Sequence, residues 1–191
     1  MKMTLRIFFV LIISVLLSAC APSSAGSQPD EQVSEFDLTL AAIPNLEPIL
    51  FQENDFPYGY SAGSTASKVP TYYSKIFIPV PDQFIRQQIQ RDSKPAGQVD
   101  VLYYINGETT RFAFIDIKDD MKDASELTDI GEMAVIEITS KDQIALRDSI
   151  AIVFTQCHVV VHISILGIRD TEIVTSYSKK LSERLKSLLC D

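Results

Sequence analysis

Cysteine and histidine are the residue types in this 191-residue chain best suited to covalent or metal chemistry. Cys157 and His158 are adjacent, which is the composition of a nucleophile beside a general base. The β-branched run that follows predicts a strand, whose neighbouring side chains point to opposite faces. We therefore expect that these two side chains do not share a proton, and we predict no catalytic residue here.

His158 and His162 are the two histidines of the chain. On a strand they share one face, but four residues at about 3.3 Å each separate them by roughly 13 Å. A single metal ion with nitrogen ligands near 2 Å cannot join side chains so far apart. The expected role of the pair is a polar, half-exposed sheet face, and no metal site is predicted.

An acidic cluster precedes the last third of the chain: Asp116, Asp119, Asp120, Asp123 and Glu126. It lacks the ordered spacing and the central glycine of an EF-hand loop. We expect a solvated helix end, and no cofactor is predicted.

Four tyrosines, Tyr58, Tyr60, Tyr72 and Tyr73, lie in a stretch rich in glycine, serine and proline. Aromatic side chains on loops can line a pocket for a sugar or another amphipathic ligand. The same side chains could instead cover the edge of a sheet. The sequence marks these tyrosines as candidate ligand-binding residues.

The amino terminus has the order of a secretory signal. Lys2 and Arg6 precede the apolar run Ile7–Leu17, and the small residues Ser18 and Ala19 follow it. The run is shorter than the roughly 20 residues that cross a bilayer, which favours a cleaved signal over a membrane helix.

The four residues Leu17-Ser18-Ala19-Cys20 resemble the lipobox of bacterial lipoproteins. The resemblance implies that residues 1–19 are removed and that Cys20 carries a diacylglyceryl group, with fatty acyl chains such as palmitate anchoring the protein to a membrane. Two or three acyl chains anchor stably, at about 0.8 kcal/mol for each buried methylene. Ala21 is not an acid, which in a two-membrane bacterium implies the outer membrane.

Cys157 and Cys190 remain once Cys20 is assigned to lipid. In an oxidising compartment two such thiols are expected to form a disulfide. Free buried thiols are the alternative.

The net negative charge of the chain argues against nucleic acid as a partner. The chain has 17 basic and 25 acidic residues, and loss of Lys2 and Arg6 leaves 15 against 25, a net charge of -10. Binding of nucleic acid needs clustered lysine and arginine, so it is not expected.

Residues 20–35 are mostly small and polar and predict a flexible tether, and residues 36–191 have the size of one domain.

Hydrophobic periodicity and turn signals predict the elements of this domain. The sequence leaves two alternatives for residues 107–121, a hairpin that turns at Asn106-Gly107 or a helix over Thr109–Met121. Asp148–Thr155 and Cys157–Leu166 form two antiparallel strands or one bent strand. The remaining predictions are a short helix or turn over Pro44–Gln52, a helix over Gln83–Arg91, and strands over Lys75–Val80, Val99–Ile105 and Met133–Ile138.

The carboxy-terminal segment Thr171–Leu189 is the clearest helix. Asp170 is a good cap, and apolar residues recur at spacings of three and four: Ile173, Tyr177, Leu181, Leu185 and Leu188. A disulfide would join the end of this helix to the strand that starts near Cys157. The fold class predicted is α+β, a single domain with a mainly antiparallel sheet and this long amphipathic helix packed on it.

Three features resemble exported bacterial lipoproteins and sensor domains with a PsbP-like α/β/α sandwich. They are Leu46–Phe51 followed by Asp55–Gly59, Gly131–Val135 before an apolar hairpin, and the carboxy-terminal helix. The resemblance implies a helix at 109–121. It carries no shared catalytic residues, so no site follows from it.

The function expected from the sequence is a membrane-anchored exported lipoprotein with a non-enzymatic ligand-binding or sensor-like domain. An envelope component that binds another protein is the alternative, and an unrecognised hydrolase is a third reading. The small ligand or envelope partner is not identified by the sequence.

Overall fold

The computed structural model describes residues 43–56, 59–76, 78–140 and 148–190. The signal peptide, Cys20, the tether and Tyr58 lie outside the described residues, so those predictions remain predictions. No helix among the described residues is long and apolar enough to cross a membrane.

The described residues form one seven-stranded antiparallel sheet with the strand order β1-β2-β3-β7-β6-β5-β4. The chain enters it through two 3-10 turns, Glu47–Ile49 and Glu53–Asp55. The strands are β1 (Tyr60–Ala66), β2 (Gln83–Arg91), β3 (Lys94–Tyr103), β4 (Ser125–Glu126), β5 (Met133–Thr139), β6 (Ser149–Gln156) and β7 (Val159–Leu166). The helices are α1 (Thr71–Lys75), α2 (Gly107–Asp120) and α3 (Thr171–Leu189).

Helices cover both faces of the sheet, which makes an α/β/α sandwich. On one face, α3 packs on β6 and β7 through Val174, Tyr177, Leu181 and Leu185. On the other face, α2 packs on the same strands through Ala113, Phe114 and Ile117. The predicted α+β fold with a carboxy-terminal helix on an antiparallel sheet is confirmed.

The helix α3 begins where the sequence predicted, because the Asp170 side chain accepts a hydrogen bond from the Glu172 N–H. Its buried face differs in part from the apolar stripe, since Leu188 is 48% exposed while Ser182 is buried. The Ser182 hydroxyl donates to Gln156 Oε1 and accepts from the Gly131 N–H, so the polar side chain is satisfied inside the core.

The sequence left two pairs of alternatives. The structure has a helix, not a hairpin, at residues 107–120, and it has two separate strands, β6 and β7, rather than one bent strand. Asn106 is a helix cap rather than a hairpin turn, because its side chain accepts from the Glu108 N–H. The strand β7 begins at Val159, so Cys157 and His158 form the turn before it.

Two predicted elements are wrong. Gln83–Arg91 is the strand β2, not a helix, and Gln87 lies in the core because its amide makes two hydrogen bonds with the Phe51 backbone. Within the predicted strand Lys75–Val80, Lys75 ends α1, and residues 78–80 belong to no strand. Ile78 packs in the second core, which is the apolar cluster beneath α2 that contains Ala113, Phe114 and Ile117, and Pro79 can donate no ladder hydrogen bond.

The predicted disulfide joins Cys157 and Cys190, whose Cα atoms are 5.7 Å apart. It connects the β6–β7 turn to the residue that ends α3. This covalent link holds the carboxy-terminal helix against the sheet at one end.

Candidate ligand-binding site

One face of the sheet changes from apolar to polar along the central strands. Phe84, Leu102 and Val160 lie under α1 and α2 in the second core. The next row across β2, β3 and β7 is polar: Arg86, Asp100 and His162. The row beyond it is Gln88, Gln98 and Ser164. Facing residues of antiparallel strands share a face, so these side chains form one continuous polar surface.

Asp100 is the centre of this surface and is 0% exposed. Arg86 binds it with two parallel hydrogen bonds, Nε to Oδ1 at 2.6 Å and Nη2 to Oδ2 at 2.7 Å. Such a bidentate arrangement fixes both planar groups. Hydrogen bonding to the Asp100 carboxylate raises the pKa of the Arg86 guanidinium, despite the opposing effect of burial.

Tyr73 connects α1 to the same carboxylate. Its hydroxyl donates to Asp100 Oδ2 at 2.7 Å and lies 3.1 Å from His162 Nδ1. Because the single hydroxyl proton goes to Asp100, the second contact requires a proton on His162 Nδ1. Burial, together with the charge on Asp100, raises the pKa of Tyr73, so its hydroxyl remains a donor.

His162 is held in its neutral form. Burial lowers its pKa below the ordinary value of 6.5, and the positive charge of Arg86 acts in the same direction. The negative charges of Asp100 and Asp120 oppose the shift without reversing it. The imidazole therefore serves as a neutral hydrogen-bonding group next to the buried ion pair.

A groove opens beside this network. It has a volume of about 310 Å³ and is lined by Gln88, Gln98, Ser164, Pro95, Gly97 and Leu166. Gln98 joins the groove to the network, since its amide donates to Asp100 Oδ2 at 3.3 Å.

The groove presents polar atoms that have no partner within the described part of the chain: Gln88 Nε2, Gln98 Oε1 and Ser164 Oγ. Together they offer a donor, an acceptor and a hydroxyl that can be either. None of the lining side chains is charged. The groove therefore offers hydrogen-bonding groups without a formal charge.

Of the described tyrosines predicted as a ligand site, Tyr72 and Tyr73 are in ring contact, with centroids 5.3 Å apart, but Tyr60 lies apart from them. Tyr60 packs against the α3-side core, whereas Tyr73 belongs to the core on the opposite face of the sheet. Tyr73 is 1% exposed and serves the network. The Tyr72 hydroxyl donates to Asp120 on α2. None of these three residues lines the groove.

Cys157 and His158 also have separate roles. The Cys157 sulfur is bonded to Cys190, and His158 Nδ1 lies 2.9 Å from the Ile105 carbonyl oxygen. The prediction that the two histidines share a strand face is wrong, because His158 lies in the turn and His162 in β7. His162 alone joins the polar surface.

The acidic cluster extends from α2 to β4, and the Asp120 carboxylate in it accepts a hydrogen bond from the Tyr72 hydroxyl. Among the described residues, no group of three or more histidine, cysteine, aspartate or glutamate side chains could hold a metal ion.

Sequence reasoning missed Arg86, Asp100, Gln88, Gln98 and Ser164. The alternation of Gln98 and Asp100 with Val99 and Val101 was a usable signal, because it predicts a strand with one polar face. The partner residues on β2 were lost once that segment was assigned as a helix.

No protein-family model matches the chain, and no curated protein sequence matches it. Among solved structures, the chain is similar to the extracellular domain of PknH from Mycobacterium tuberculosis. The TM-score is 0.45 at 7% sequence identity, covering 68% of this chain and 86% of that one. A likeness at this level carries no argument about function.

Proposed function

We propose that this protein is an exported, lipid-anchored, non-enzymatic protein whose domain binds a neutral polar ligand in the groove between β2, β3 and β7. The observation that carries the ligand-binding part is the unpartnered set Gln88 Nε2, Gln98 Oε1 and Ser164 Oγ on one uncovered sheet face. Polar atoms that converge in a groove orient a ligand and give it specificity.

The buried ion pair supports the site by fixing its inner end. Asp100 has four hydrogen bonds, from Arg86, Tyr73 and Gln98. The bond from Gln98 Nε2 to Asp100 Oδ2, at 3.3 Å, restrains the side-chain amide that carries the free Oε1. Less side-chain entropy is then lost on binding.

The same hydrogen bonds argue against a hydrolytic function. The Tyr73 hydroxyl donates a hydrogen bond to Asp100, and Arg86 forms an ion pair with that carboxylate. Nucleophilic catalysis needs a base within reach of a nucleophile, and the described hydrogen bonds of His162 include none to serine, threonine or cysteine.

The export and anchor part of the proposal rests on the amino-terminal sequence. The lipobox resemblance at Cys20 and the Cys157–Cys190 disulfide both fit an oxidising, extracytoplasmic compartment. Metabolic labelling with radioactive palmitate tests it, with Cys157→Ser as the control variant. The wild type and the control should both take up label and Cys20→Ser should not, and equal labelling of Cys20→Ser would refute the anchor.

Ligand chemistry is tested with two related oligosaccharides, of which one is neutral and the other cationic. Chitotriose carries hydroxyl and neutral acetamido groups, whereas its deacetylated amine form is cationic. Calorimetric titration of the full chain in detergent should show binding of chitotriose and weaker binding of the amine. Absence of binding by the neutral probe, or a preference for the cation, would contradict a groove built for uncharged ligands.

Protein interaction is a second candidate function, favoured by the strand β1. This strand lies at the edge of the sheet and has no charged residue over Tyr60–Ala66. An uncharged edge can pair with a strand of another chain. If β1 mediates association, Thr65→Lys should reduce an oligomer seen by analytical ultracentrifugation, and unchanged association would exclude this edge.

A further inference from the structure

We propose that His162 Nε2 accepts a hydrogen bond from a ligand hydroxyl, so that the molecule bound in the groove is a polyhydroxyl compound such as a saccharide. This inference rests on the proposed function of the groove and names the class of its ligand. His162 and the groove residue Ser164 are two positions apart on β7 and pair with Asp100 and Gln98 of β3. Both side chains therefore lie on the polar face of the sheet, about 7 Å apart along the strand.

The hydrogen bonds of the network decide which nitrogen of His162 is free. The Tyr73 hydroxyl lies 3.1 Å from Nδ1 and donates its own proton to Asp100. Nδ1 must therefore carry a proton, and in a neutral imidazole the lone pair is then on Nε2. This tautomer makes Nε2 a hydrogen-bond acceptor.

His162 Nε2 is open to a ligand. It has no hydrogen-bond partner within the described chain, and the residue is half-buried rather than enclosed. Nε2 is not one of the unpartnered atoms that the described chain buries, which are Gln83 Oε1, Thr155 Oγ1 and the Tyr177 hydroxyl. Because the contact of Nδ1 with Tyr73 restrains the ring, little side-chain entropy is lost when Nε2 binds a donor.

The acceptors on this face select the class of ligand. His162 Nε2 and Gln98 Oε1 only accept, whereas the Gln88 amide nitrogen only donates and the Ser164 hydroxyl does either. A ligand must therefore supply donors to the two acceptors and an acceptor to Gln88. Hydroxyl groups do both, which favours a molecule with several hydroxyls over an ether or a ketone, whose oxygens only accept.

Protonation of His162 removes this acceptor, because Nε2 then becomes a donor. The titratable and charged groups around the ring are Tyr73 of α1, Arg86 of β2, Asp100 of β3 and Asp120 of α2. Burial and the charge of Arg86 lower the pKa of His162, while Asp100 and Asp120 oppose the shift. The imidazole is therefore neutral at pH 8, and ligand binding should weaken as the pH falls through the lowered pKa.

Calorimetric titration of the full chain in detergent with chitotriose, at pH 8 and at pH 5, tests the proposal. His162→Phe keeps a ring but has no acceptor, whereas His162→Gln keeps an acceptor that does not titrate. At pH 8, His162→Phe should bind about three- to tenfold more weakly than the wild type, and His162→Gln should retain more of the affinity. Between pH 8 and pH 5 the affinity of the wild type should fall, and that of His162→Gln should stay constant.

The carboxylates near the ring are the same in the wild type and in His162→Gln, so this comparison isolates the imidazole. Equal affinities at pH 8 for the wild type and a folded His162→Phe protein would overturn the role of His162 and leave the groove intact. The same conclusion would follow if the wild type and His162→Gln responded equally to pH. No binding of chitotriose by the wild type at pH 8 would overturn both the groove and the role of His162.

Permethylated chitotriose tests the class of ligand, because methylation removes its hydrogen-bond donors. It should not compete with chitotriose for the wild type at pH 8. Equal binding of the two compounds would overturn the assignment of a polyhydroxyl ligand.

Discussion

Tyr73 donates its hydroxyl proton to Asp100 across 2.7 Å, which joins the short helix α1 to the centre of the sheet. Asp100 is fully buried, and Arg86, with 24% of its side chain exposed, supplies the compensating charge. A buried carboxylate is stable only when it is paired and hydrogen-bonded. This relationship positions the inner end of the proposed groove.

Asp100→Asn should lower the free energy of unfolding by about 3 kcal/mol, because it leaves the Arg86 guanidinium without its counter-charge. Asp120→Asn is the control, since Asp120 also accepts a tyrosine hydroxyl of α1 but is exposed. The control should cost less than about 1 kcal/mol. Urea unfolding measures both, and similar losses would mean that the buried pair contributes little.

His162 should make the protein less stable in mild acid. Its pKa is lowered on folding, so the unfolded chain binds the proton more readily. Stability contributed by the neutral imidazole is complete above pH 6.5 and is lost as the pH falls through the lower folded pKa. Unfolding free energies of wild type and His162→Gln from pH 8 to pH 5 should therefore diverge, with the wild type losing more. Parallel curves would contradict the neutral form of His162 in the folded protein.

Removing the disulfide with Cys157→Ser and Cys190→Ser together should destabilise the domain by about 3–4 kcal/mol on the chain-entropy model, for a separation of 33 residues. The cross-link limits the conformations of the unfolded chain. Cys20→Ser should leave the urea midpoint unchanged. A double variant as stable as the wild type would show that the link does not constrain the unfolded state.

Gln87→Leu should destabilise the protein by about 2–4 kcal/mol, although it places an apolar side chain in a core position. The change leaves the Phe51 N–H and carbonyl without their partners. Gln88→Leu, on the opposite face of β2, should cost much less. Equal urea midpoints for the two variants would show that the Phe51 hydrogen bonds contribute no stability.

Gln87 also explains where sequence reasoning failed. Ile85, Gln87 and Ile89 alternate along one face of β2, but a glutamine in the core breaks the apolar pattern on which strand prediction depends. Its partner is a backbone 36 positions away, which local spacing cannot show. The Arg86–Asp100 pair, 14 positions apart, was missed because it forms only when β2 pairs with β3.

Elements with a local signal were predictable. Asp170 and its apolar spacing predicted α3, and the β-branched run predicted β7. Residues 107–120 stayed ambiguous because Asn106 suits both a hairpin turn and a helix cap, and packing of Ala113 and Ile117 on the sheet selects the helix. In the candidate site, the polar face of β3 had a local signal, but its contacts with β2 and β7 form only through strand pairing and could not be predicted.

The most direct test of ligand binding in the groove is calorimetric titration of Ser164→Phe with chitotriose. Phenylalanine at this half-exposed position fills the groove without entering the core, and Ser187→Phe on the exposed end of α3 is the matched control. We predict that Ser164→Phe loses binding while its urea midpoint and the binding of Ser187→Phe match the wild type. Undiminished binding by a folded Ser164→Phe protein would contradict the account.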